Sequence, residues 1–229
     1  MAESVYNHHM LEKDSHAVSE LKISCADMAV KFKFLFILAL VSFIINFFLS
    51  IAAFSEHLYR SLPFVLVFAA LKITSDLSTG IVTLTLSEHN VAYKTSGIFY
   101  LIHSALWILT VPLLSQKNTG AAFYLYETLG ALASIFNFLF HIKIAAAMSE
   151  VFEPVSLALK VSWTDFRQWN IRVLVGSLIC SPLLIIPWIK YAALIGASVI
   201  AFAMLIIQIW RFTIIFKSYK MMEKFSLSE

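Results

Sequence analysis

Cysteine, glycine, proline and charge are all scarce in this 229-residue chain. Its two cysteines, Cys25 and Cys180, fall in an N-terminal polar segment and inside an apolar run, which leaves no disulfide framework to read. With six glycines and five prolines, no phosphate-cradling glycine loop and no low-complexity linker can be assembled. Charged residues make up 14% of the chain and the net charge is +3, too small and too scattered an excess to suggest nucleic acid. No Asn-x-Ser/Thr acceptor and no Gly-x-Ser-x-Gly turn occurs. His8 and His9 are adjacent near the N-terminus, while His57, His89, His103 and His141 are scattered, so no metal-holding histidine box forms. No cofactor or metal is expected, and no enzymatic activity.

What the chain has in abundance is oil. Hydrophobic residues make up 60%, with 20 phenylalanines and a mean hydropathy of +0.82, more apolar surface than a soluble domain can hide. Six apolar segments are long enough to cross a bilayer core of roughly 30 Å: Phe34–Phe54, Leu62–Leu86, Gly97–Leu114, Ala121–Ala147, Val173–Ile189 and Tyr191–Phe216. The expected fold is an all-α integral membrane bundle of about six transmembrane helices. Residues 1–31 form a cytosolic segment, 32–216 the membrane domain and 217–229 a short basic tail. Residues 1–14 read as disordered. From Ser15 to Val30, Val18, Leu21, Cys25 and Met28 recur at helical spacing, either as a short amphipathic helix on the headgroups or as a lead-in to the first span. The polar, acid-containing start is unlike a cleavable signal peptide, so the first span is expected to insert itself.

Basic residues orient this bundle. Of 17, Arg60, Lys117 and Lys190 lie on one side and Lys72 lies inside a segment; the other 13 lie on the side of both termini. Short cytosolic loops retain Lys and Arg, which places both ends in the cytosol. The asymmetry depends on Leu62–Leu86 crossing the bilayer, and that segment is interrupted by Lys72 and Asp76. Four residues apart, the two share a helix face and can pair, lowering a cost of about 2.5–3.5 kcal/mol for each buried charge. A re-entrant hairpin is the alternative. The longest internal connection, Met148–Asn170, mixes Trp163, Phe166 and Trp169 with polar residues, as a headgroup-level segment does.

The intramembrane polar set is Lys72, Asp76, His103, Glu127, Asn137 and Gln208. It can be an ion or proton path, with Lys72, Asp76 and Glu127 as its site, or a neutralised pair plus interhelical hydrogen bonders. Gly130 with Ser134, and Ala193 with Ala197 and Ala201, have the four-residue spacing that permits close helix approach. Arg211, Lys217, Lys220 and Lys224 read as a basic collar at the membrane surface.

The span Tyr100-Leu101-Ile-His-Ser104 through Pro112 resembles a hallmark span of the transmembrane protein 33 family. Asn170-Ile171 opening the fifth span, and Trp210-Arg211-Phe212 followed by Lys217-Ser218-Tyr219, are similar too. The resemblance covers roughly residues 30–220. It implies a non-enzymatic protein of the endoplasmic reticulum and nuclear envelope. Partners would be the lipid bilayer and reticulon-type membrane-shaping proteins, with nuclear pores in fungal members. Two functions thus stay open: membrane organisation, or a small ion channel or transporter built on Lys72, Asp76 and Glu127.

Overall fold

The computed structural model describes residues 2–54, 62–113, 120–183 and 190–227, and among them every long element is a helix. These are α1 (Ala2–Phe54), α2 (Leu62–Thr85), α3 (Val91–Thr110), α4 (Gly120–Val151), α5 (Leu157–Leu183) and α6 (Lys190–Leu227). Single 3-10 turns follow α2 (Leu86–Glu88) and α3 (Val111–Leu113). Five of the six are long and apolar enough to cross a membrane, the exception being α5. The second part of the expected fifth span, residues 184–189, lies outside the described residues.

Each helix packs on the next in sequence, and α6 returns to α1. The contacts run antiparallel throughout. Asp27 meets His89 while Ser42 meets Asp76; Trp163 meets Ser218 while Gly176 faces Ile200; Phe36 meets Tyr219 while Phe43 meets Phe212. The result is a closed up-and-down ring of six helices. The α2–α3 seam is closest where two glycines face each other: a Cβ on Gly97 would lie 3.0 Å from the Gly80 carbonyl oxygen and 2.7 Å from Leu84. That approach is open only to glycine.

The core is concentrated at the end of the ring that carries both termini. Cys25, Phe32, Tyr93, Met148, Phe152, Trp163, Phe166 and Met222 are fully buried there. Polar pairs flank it: Asp27–Lys31, Asp27–His89, Asn90–Glu150 and Lys160–Glu153. Toward the other end, Phe123, Leu125, Leu178, Ile179, Leu194, Val199 and Phe202 are exposed, the surface a helix presents when lipid is its solvent.

Several expectations change. Helix α1 begins at Ala2 and runs 53 residues without a break, about 80 Å at 1.5 Å per residue, so neither a disordered start nor a separate surface helix is present. Cys25 and Met28, on the predicted amphipathic stripe, are packed into the core rather than onto headgroups. The connection Met148–Asn170 is mostly helix: α4 continues to Val151 and α5 starts at Leu157. Trp163 and Phe166 are buried in it because their spacing puts both on the face turned to α6, and Trp163 Nε1 donates to Ser218 Oγ at 3.0 Å. Only Trp169 is exposed, beneath the Arg172 guanidinium. Leu62–Thr85 is one continuous helix of 24 residues, about 36 Å, and not a hairpin. Gly130 has nothing within 4 Å of an added Cβ, and Ala201 is exposed. The close contacts are instead Gly176 on Ile200 and Gly196 on Cys180. The side chain of Ala193 lies outside those described.

Candidate functional site: a charged chamber inside the ring

Asp76 is the hub of the site. It is fully buried, and three helices deliver donors to its carboxylate. Lys72, one turn earlier on α2, donates from Nζ to Oδ2 at 2.8 Å. Ser42 of α1 donates to Oδ1 at 3.1 Å, and the Tyr100 hydroxyl of α3 to the same oxygen at 3.2 Å. Lys72 is 7% exposed, and its ammonium also lies over the Trp107 ring, 5.5 Å from the centroid. A charged pair so far from water persists only with its remaining hydrogen-bonding capacity filled, and here the filling groups come from neighbouring helices.

His103, one turn after Tyr100, extends the cluster. Its Nδ1 is 2.8 Å from the Ala133 carbonyl oxygen; a carbonyl only accepts, so that nitrogen carries a proton. Its Nε2 faces Asp76 Oδ2 at 3.6 Å. Next to it, Tyr100 packs at a tilt against Phe140, with centroids 4.3 Å apart. The Arg211 guanidinium lies 5.9 Å from the same Phe140 ring and beside the Tyr100 hydroxyl.

These groups border a cavity of about 540 Å³, open rather than sealed, lined by residues of α1, α2, α3, α4 and α6. Asn46, Asn137, His141 and Gln208 complete its polar wall with Lys72 and Arg211. A recess of about 280 Å³ adjoins it, sharing Trp107 and Ser134 and containing Glu127 and Thr110. A second recess of about 180 Å³ shares Ser134, Asn137, His141 and Gln208 and contains Asn170. His141 is 4% exposed, and neither of its ring nitrogens has a hydrogen-bond partner. One ring nitrogen always bears a proton, and a buried donor left unmet costs about 1–3 kcal/mol.

The structure thus brings together Lys72, Asp76, His103, Asn137 and Gln208 of the predicted polar set. Glu127 is not with them: it is exposed, in the adjoining recess, 14 residues before His141 on the same helix, about 21 Å along the axis. Of the residues quoted for the family resemblance, Tyr100 is in the site and Arg211 lines the chamber. Ser104 bonds back to the Tyr100 carbonyl, Leu101 packs on Gly80, and Phe212 meets Phe43 edge-on. Pro112 is exposed in the turn after α3. Arg211 therefore does not belong to a surface collar, whereas Lys217, Lys220 and Lys224 are exposed on α6. Sequence reading missed Ser42 and His141 and singled out Tyr100 only for the family resemblance and Arg211 only for that and the surface collar. Helical spacing could have found Tyr100 and His103 on one face, but only the ring brings that face to Asp76.

Among the described residues, no three His, Cys, Asp or Glu side chains converge as metal ligands would. No family model, no curated protein and no solved structure matches the chain.

Proposed function

We propose that this is a multi-spanning membrane protein whose helix ring binds and conducts a small polar solute, with Lys72 and Asp76 at the site of passage. The observation that carries this reading is a row of adjoining cavities with polar side chains in their walls. From the Glu127 recess through the chamber to the Asn170 recess, each cavity shares lining residues with the next. Ionisable groups at bilayer depth mark substrate and ion pathways. Reconstitution into liposomes tests it. Flux of ions or small solutes should appear with wild-type protein and fall with Asp76→Asn or Lys72→Gln; flux indifferent to both substitutions, or none for any solute, would sink the reading.

A second reading rests on the family resemblance and on the exposed Lys217, Lys220 and Lys224 of α6. It is a non-enzymatic role in organising endoplasmic reticulum and nuclear envelope membranes, both termini cytosolic, through bilayer contact and reticulon-type partners. Basic side chains near a cytosolic leaflet gain about 1 kcal/mol each from anionic lipid. A fluorescent fusion resident in the plasma membrane or mitochondria would remove it.

A further inference from the structure

We infer that the chamber is an anion site, taking a carboxylate or phosphate-type oxyanion between Arg211, Lys72 and His141. The inference rests on the chamber reading above and adds the chemical class of its occupant.

Charge balance is the first support. Lys72 and Asp76 neutralise each other at 2.8 Å. Arg211 then remains as a half-buried cation on the chamber wall, forming no ion pair among the described residues. It interacts with the Tyr100 hydroxyl and the Phe140 ring, and with Asp76 only at longer range. The carboxylate, the ammonium and the guanidinium together leave the site a net single positive charge. Glu127, the other carboxylate of the polar set, is too far along α4 to answer it. An uncompensated charge at membrane depth calls for a counter-ion.

The second support is independent of charge. His141 is buried, faces the same chamber and has no partner at either nitrogen, although its helical neighbours are well packed. A proton on such a ring needs an acceptor, and an oxyanion in the chamber supplies one. Asn137 and Gln208 add amide donors on the same wall. A guanidinium, an imidazole N–H and amides form a donor set for oxygen acceptors. A bare cation would meet Arg211 first. The volume, about 540 Å³, is that of a small-molecule site and exceeds what one inorganic ion fills.

The same chemistry is offered by a free carboxylate or phosphate and by an anionic lipid headgroup. Full-length protein in phosphatidylcholine nanodiscs separates them. One arm titrates inorganic phosphate and 4-bromobenzoate, reading the thermal midpoint and heavy-atom quenching of Trp107 against a Trp107→Phe control. The other arm replaces part of the phosphatidylcholine with phosphatidic acid and reads the same midpoint and the protection of Trp107 from quenching.

Saturable binding in either arm supports the site and names its source. Arg211→Gln should weaken it by about tenfold or more while leaving the empty protein at least as stable as wild type, because an unanswered charge is removed. Arg211→Lys should retain most of it. A purely structural Arg211 would show the reverse, lower stability with unchanged binding. Absence of saturable binding in both arms, or equal binding by wild type and Arg211→Gln, overturns the inference. Cation flux without any anion effect would overturn this inference and leave the conduit standing. Anion binding without flux would do the opposite.

Discussion

Replacing Asp76 with asparagine keeps the shape of the hub and removes its charge, so it isolates the electrostatic contribution. The asparagine carbonyl still accepts from Ser42 or Tyr100, which sit 3.1 and 3.2 Å from Oδ1 in the parent. Lys72, 7% exposed, loses the carboxylate it pairs with. Breaking a buried ion pair from one side costs about 3–5 kcal/mol. The Trp107 ring attracts the ammonium in parent and variant alike, so it leaves the difference unchanged. The expected destabilisation is therefore about 3–5 kcal/mol. Lys72→Gln alone should cost less, about 2 kcal/mol, because Ser42 and Tyr100 still donate to the carboxylate. If the two act as a unit, the double variant regains charge balance and loses well under the sum, leaving a coupling of about 2 kcal/mol. Equilibrium unfolding in mixed micelles with increasing dodecyl sulfate measures all four corners of the cycle. Additivity within about 0.5 kcal/mol would refute the claim that the pair is a structural unit.

Three further outcomes follow from the ring. Gly97→Val should lower stability by about 1–3 kcal/mol, since its Cβ would meet Leu84 at 2.7 Å and the Gly80 carbonyl at 3.0 Å, whereas Gly130→Ala, with nothing within 4 Å, should be neutral or slightly stabilising; thermal unfolding of both in detergent checks the contrast. Trp163→Phe removes the 3.0 Å bond to Ser218 from a site 1% exposed and should cost about 2 kcal/mol, read from the same melts. Single-cysteine tags placed in residues 87–96 and 115–120 should react from opposite membrane faces with an impermeant maleimide; labelling from the same face would break the six-helix topology.

The fold was largely legible because membrane helices announce themselves through apolar length, and five of the six expected spans coincide with long apolar helices. Helix ends were less legible. Periodicity in Ser15–Val30 marked a helix but could not say what covered its Cys25 and Met28, because such a stripe suits a headgroup surface and a protein core equally. The mixture of Trp163, Phe166 and Trp169 with charged residues misled for a similar reason. Aromatic residues near polar ones mark either an interface or a packed helix end, and here the ring extends its helices beyond the apolar stretch and buries two of the three.

The site divides the same way. Lys72 and Asp76 could be paired from their spacing alone, since one turn of helix fixes their proximity whatever else the chain does. Arg211 could not be placed so. It ends an apolar run that leads into Lys217, Lys220 and Lys224, and a linear count assigns all four to one surface. On the folded helix Arg211 turns inward, while the three lysines, beginning six residues later, are exposed. That displacement takes one positive charge from the face bearing the termini and puts it beside His141 in the chamber. The charge pattern expected to orient this protein therefore loses one member, and the chamber gains the cation that makes its polarity asymmetric. A neutral polar lining would select by size; a lining with one unanswered guanidinium and one unanswered imidazole would select by charge.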